Sequence, residues 1–215
     1  MKDGFADSID EIKKIALEYA TNLQVRPCKK VYNERGEYEV ERSHYCQEKN
    51  AIYLDERKDD EEYAITFRHE YGHFIDAQLG RPSLKENFSM AIQADFFWYD
   101  RNTLIGSENL QKMLKELEQE EIFDSRYFSD ILSGMFHNDR IIRECYDRNG
   151  VAFYSHSNYY WAGLKGPQNA VEREIFANLV ALYAENNEEI VNFFEKHFPN
   201  ISKQFKKELH REING

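Results

Sequence analysis

Apolar residues recur at helical spacing near the start of the chain. Ile9, Ile12, Ala16 and Tyr19 form one stripe, which Ile15 widens. The spacing predicts a helix over residues 8–22, opened by Ser8 and Glu11 in the manner of a capping box. Strand-like pieces follow. Residues 28–32 and 38–45 flank Asn33-Glu34-Arg35-Gly36, a hairpin turn signal, and residues 50–55 make a third strand. Alternating polar positions in the middle piece predict one wet sheet face. Helical periodicity returns over residues 62–79 and stops at Gly80-Arg81-Pro82. Phe67, Tyr71, Phe74, Ile75 and Gln78 line one side of that helix, which leaves a separate polar face to present.

Residues 83–150 read as helical and connective. Within them, 88–99 is aromatic-rich, 110–121 is charged and amphipathic, 129–136 is a short helix, and Asn149-Gly150 is a turn. Residues 151–154 are expected as a short strand before 155–161. Residues 170–184 form the most apolar helix, and a last amphipathic helix follows Pro199. The pattern predicts an α+β fold: a small mixed sheet of three to four strands, one long helix beside it, and helices elsewhere. No repeat or linker interrupts it, so one domain is expected over residues 1–215. It would comprise an N-terminal helix and sheet (1–60), the long helix (61–80), a mainly helical insertion (81–165) and closing helices (166–215).

Composition narrows the function classes. Hydrophobic residues make up 41% and charged residues 31% of the 215, enough apolar material for a core. A net charge of −11 argues against a protein that grips phosphate backbones, so no nucleic-acid partner is expected. Cys28, Cys46 and Cys145 are odd in number and lack a Cys-x-x-Cys pair, which favours a reducing compartment and disfavours a thiolate zinc site. Met1-Lys2-Asp3-Gly4 has no apolar signal core, and no apolar run is long enough to span a bilayer. A cytoplasmic protein without a membrane partner is expected.

The chemistry lies in His69-Glu70-Tyr71-Gly72-His73. Two histidines four apart on a helix point the same way and can reach one metal ion, while the glutamate beside the first sits at the edge of that face as a general base. A catalytic zinc takes three protein ligands. A third histidine six residues after His73 would give the metzincin pattern, but that position is Leu79. The better candidate is Glu174, which opens an apolar helix where a carboxylate needs a cation or strong hydrogen bonds to be tolerated. Ala177, Asn178 and Ala181 share its face and are small enough for close helix approach, as is Gly72 on the first helix. Two alternatives stand beside it: an arginine partner for Glu174, or Glu172 as the important acid. These ligands accept several divalent ions, zinc first.

The run from His69 to Asp76, followed by Glu174-Ile175-Phe176-Ala177, resembles the gluzincin core of the anthrax lethal factor-like metallopeptidases. The segment 193–205 fits the same pattern more loosely. Ser129-Asp130-Ile131-Leu132-Ser133, then Ser155-His156-Ser157-Asn158-Tyr159-Tyr160-Trp161, then Glu174 to Asn178, are similar in order to zincin domains of phage and prophage minor head proteins. Together the resemblances cover roughly residues 50–205. They imply a zincin-like fold, Zn²⁺, a protein or peptide substrate, and an association with phage head proteins in the cytoplasm or the virion.

In the mechanism they imply, His69, His73 and Glu174 hold zinc and Glu70 shuttles the proton. The lethal factor-like enzymes carry an oxyanion-stabilising tyrosine seven residues before the third ligand, where this chain has Pro167. Tyr160, helped by His156, is the nearest replacement, with Tyr159 behind it. Asp76 is either an acceptor that orients His73 or a solvated helix position. The strand at 50–55 is expected as the sheet edge on which substrate lies. His44, His137, His197 and His210 read as surface or structural, and Phe96, Phe97 and Trp98 as core or interface. Two other readings remain, a catalytically silent binding module and a secreted effector protease. The intact Glu70 argues against the first, and the missing signal peptide against the second. A deaminase is disfavoured because Pro-Cys-x-x-Cys is absent.

Overall fold

Helix α1 (Asp10–Tyr19) opens the computed structural model, which describes residues 10–19, 21, 23–32, 38–120, 122, 126–164 and 167–214. Strands β1 (Gln24–Pro27), β2 (Lys30–Tyr32), β3 (Tyr38–Val40), β4 (His44–Cys46) and β5 (Ala51–Leu54) follow. The capping residue Ser8, the side chain of Glu11 and the turn at 33–36 fall outside what is described.

The hairpin forms where expected, but in a sheet of its own. β2 pairs antiparallel with β3, Val31 opposite Glu39. The main sheet is mixed, in the order β1-β5-β4, with β1 parallel and β4 antiparallel to β5. The stretch 38–45 therefore divides between two sheets. It also follows that the segment 50–55 is not an edge. Ala51, Ile52, Tyr53 and Leu54 are all buried, an unbroken apolar run that suits a central strand. The edges are β1 and β4. β1 gave no apolar signal because all four of its residues are exposed.

α2 (Asp60–Gln78) carries the histidines. Asp59 caps it by accepting from the Glu62 N–H at 2.8 Å, and Asp60, Glu61 and Glu62 suit the positive end of the helix dipole. Tyr71, Phe74 and Ile75 enter the core, Phe67 is half-buried and Gln78 is exposed. The opposite, polar face is largely covered, with His69 and His73 left partly exposed. Thr66, Glu70, Gly72 and Asp76 are buried on it.

Helices α3 (Glu86–Phe97), α4 (Leu104–Gln119), α5 (Arg126–Met135), α6 (Arg140–Arg148) and α7 (Asn158–Trp161) fill the middle of the chain. On α4, Leu110, Met113, Leu114 and Leu117 turn inward. The expected strand at 151–154 does not form; these residues belong to no helix or strand. Phe97 and Trp98 are exposed rather than in the core.

α8 (Ala170–Glu185) packs against both α2 and α5, and every residue from Glu174 to Ala184 is buried. α9 (Glu188–His197) and α10 (Pro199–Asn214) close the fold. Much of the core is aromatic. Phe176 meets Phe88 and Phe205, and Phe128 meets Phe193 and Phe198. Among the described residues no helix is long and apolar enough to cross a membrane.

Candidate metal centre

The site forms where α2 crosses α8. Gly72 makes the crossing possible, because a Cβ there would lie 2.6 Å from Ala177 Cα. Close approach brings Glu174 against the histidine pair. Its Oε2 stands 3.2 Å from His69 Nε2 and 3.3 Å from His73 Nε2. One ligand atom from each of the three residues fits within 4.8 Å of the others. Glu172 faces elsewhere and accepts from the Ser89 hydroxyl. None of the contacts that Glu174 makes to His69, His73 and Tyr160 involves an arginine.

The hydrogen bonds around His69 decide what its ring offers. His69 Nδ1 is 2.8 Å from Asn178 Oδ1, and Asn178 Nδ2 donates to Asp130 Oδ2 at 2.9 Å. Asp130 accepts the amide N–H, so the carbonyl end of Asn178 must face the imidazole. That assigns the proton to Nδ1 and the lone pair to Nε2. This lone pair points at the buried Glu174 Oε2, which has no aligned hydrogen bond. Two acceptors facing each other in a dry site repel unless a proton or a metal cation lies between them.

Electrostatics express the same demand. Burial pulls the His69 pKa down, but the Glu174 carboxylate, with Glu70 and Asp130 behind it, outweighs burial and raises it to about 10. Burial alone would push Glu174 up, yet the two imidazoles draw it well below the usual carboxylate range. Asp130 is pushed up by burial and by the charge of Glu174. A divalent cation would take the place of the proton shared between these groups, and two imidazole nitrogens with one carboxylate are a donor set that fits zinc.

Glu70 is buried beside the pair, and its Oε2 accepts from the Tyr45 N–H at 2.9 Å. Edge strand β4 thus spends one amide on fixing the carboxylate. Tyr160 arrives from α7, and its hydroxyl donates to Glu174 Oε1. Burial, reinforced by the charge of Glu174, holds that phenol protonated far above its ordinary range. His156 stacks on the Tyr160 ring at 4.0 Å between centroids. Asn138 secures this segment by donating to the His156 carbonyl and to Asn158 Oδ1. Tyr159 is 60% exposed, which separates it from Tyr160.

Asp76 does neither thing expected of it. It is buried, and its carboxylate accepts from the Ser83 N–H at 3.0 Å and the Ser83 hydroxyl at 2.6 Å. It fastens the turn after α2, not the His73 ring. His44 stacks on Tyr53, Tyr99 bonds His197, and His137 and His210 are exposed.

Asp130, Asn178 and Asn138 escaped the sequence reading in these roles. Asn178 was legible only as a short side chain four residues after Glu174, and Asp130 lies 48 residues from its amide partner. A cavity of about 390 Å³ opens beside His69 and Glu70, walled by residues 40–43, α2, the start of α5 and residues 154–156.

Comparison with protein-family models, with curated proteins and with solved structures finds no match.

Proposed function

We propose that this chain is a zinc-dependent peptidase of zincin-like architecture. One observation carries the reading: a buried carboxylate oxygen without an aligned hydrogen bond faces two imidazole nitrogens at 3.2 and 3.3 Å, beside a second, separately anchored carboxylate. His69, His73 and Glu174 would hold the metal. Bound zinc supplies a Lewis acid that acidifies water and polarises a carbonyl oxygen.

The chain's own residues do the rest. Glu70, fixed through one oxygen by Tyr45, takes the proton of the attacking water and passes it to the leaving amine. Asn178, aligned by Asp130, holds His69 in the tautomer that leaves Nε2 free to ligate. Tyr160 steadies Glu174 in the resting protein and donates to the oxyanion during reaction, its ring supported by His156. An extended peptide lies along residues 40–43, which wall the cavity beside His69 and Glu70, and pairs through its backbone.

The test is a digest of a peptide library by wild type and Glu70→Gln in parallel, with zinc measured in both. Zinc should be present in both proteins, and cleavage in wild type alone. Equal cleavage by the two would remove Glu70 from the chemistry, and no cleavage by wild type would favour a binding module.

A further inference from the structure

The face of α2 that carries the histidines continues toward its N-terminus. Glu62, Thr66, His69 and His73 are spaced four, three and four apart, so they form one ladder. Thr66 and His69 line the cavity beside the metal centre. At its far end, Lys58 Nζ lies 2.6 Å from Glu62 Oε1 and 3.1 Å from Thr66 Oγ1. Arg126 Nη1, from α5, reaches the same Glu62 oxygen at 3.3 Å. Two cations therefore share one carboxylate, and both line the cavity while Glu62 does not. Of the four acids that line the cavity, Asp55 is held by Arg57, Glu41 is the sequence neighbour of Arg42, and Glu70 and Asp130 lie toward the metal centre. Around Glu62 the count is therefore two cations to one carboxylate, a local excess of one positive charge.

This charge is partly desolvated. The Lys58 side chain is only 18% exposed and that of Arg126 29%. The Arg126 guanidinium is also fixed over the Tyr154 ring, 4.3 Å from its centroid, so its position is settled before any ligand arrives. From Glu62 to His69 the helix rises about 10 Å. An extended peptide covers that in about three residues.

We propose that the cavity end formed by Lys58 and Arg126 is a carboxylate subsite, which selects peptides bearing an acidic group about three residues from the bond that is cut. This inference rests on the peptidase reading for its orientation. The carboxylate can come from an Asp or Glu side chain or from a free peptide C-terminus.

The test uses zinc-loaded Glu70→Gln protein, so that binding is measured without turnover. Fluorescence polarisation compares blocked hexapeptides that carry one Glu with isosteres that carry Gln, and a further pair differs only in a free or amidated C-terminus. Binding should favour the acidic peptide about tenfold, the worth of one charge-assisted hydrogen bond. The pair that shows the preference names the source. In Lys58→Met and Arg126→Gln the preference should fall toward one, and Lys58→Glu should reverse it, with melting midpoints confirming that each variant folds. An equal affinity for acidic and neutral peptides, or a preference that survives all three substitutions, overturns the subsite. Selective binding without cleavage by wild type would leave the subsite standing and remove the peptidase.

Discussion

Gly72 and Ala177 meet backbone to backbone, and a single added carbon on Gly72 would stand 2.6 Å from Ala177 Cα. No rotamer change relieves such a clash, because both sides are main chain. Alanine favours a helix by about 1 kcal/mol over glycine, yet overpacking of this kind costs about 1–3 kcal/mol. Gly72→Ala should therefore lower stability and, by forcing the helices apart, weaken metal binding. The midpoint of thermal unfolding should fall by several degrees and zinc affinity by at least about tenfold. A rise in the midpoint with full zinc retention would show that the crossing is looser than described.

Asn178 and Asp130 should act on the metal through His69. Asn178→Ala removes the Nδ1 partner and should weaken zinc binding by about 10–100-fold in a chelator competition. Asp130→Asn leaves that partner in place but no longer dictates which way the amide faces, so its effect should be smaller. Equal losses in both variants would mean that Asp130 touches the centre directly.

Tyr160 and Tyr159 are adjacent in sequence but not in role. Tyr160→Phe should lower kcat by about 100-fold or more with KM little changed, since an oxyanion donor acts in the transition state. Zinc content should stay near wild type. Tyr159→Phe should behave as wild type, because that ring is largely in solvent. Steady-state kinetics on one cleaved peptide distinguishes the two.

Cys145 is fully buried between α4 and α6, and burial together with the neighbouring Glu118 pushes its thiol up to about 12. At pH 8 it is protonated and shielded, so iodoacetamide should leave it unlabelled in the native protein and label it after denaturation. Peptide mapping reads the outcome, with the partly exposed Cys46 as an internal comparison.

The parts of the site set by local spacing were legible in the sequence. His69, Glu70 and His73 share a helix face by arithmetic, and Glu174 drew notice as a charge inside an apolar helix. The small residues at Gly72 and Ala177 announced the close crossing. The parts set by distant partners were not legible. Whether residues 50–55 lie at the centre or the edge depends on β1, which is short, exposed and without apolar signal. The Asp130–Asn178 link joins two helices that neither sequence pattern relates. Asp76 fits a ligand-orienting spacing, yet its carboxylate goes to the turn at Ser83, which helical periodicity does not place.

The most direct measurement is an anomalous difference map, collected at the zinc absorption edge from crystals grown with excess Zn²⁺. The account predicts one strong peak bounded by His69 Nε2, His73 Nε2 and Glu174 Oε2. A map without density there, or with zinc bound only elsewhere on the molecule, would contradict it.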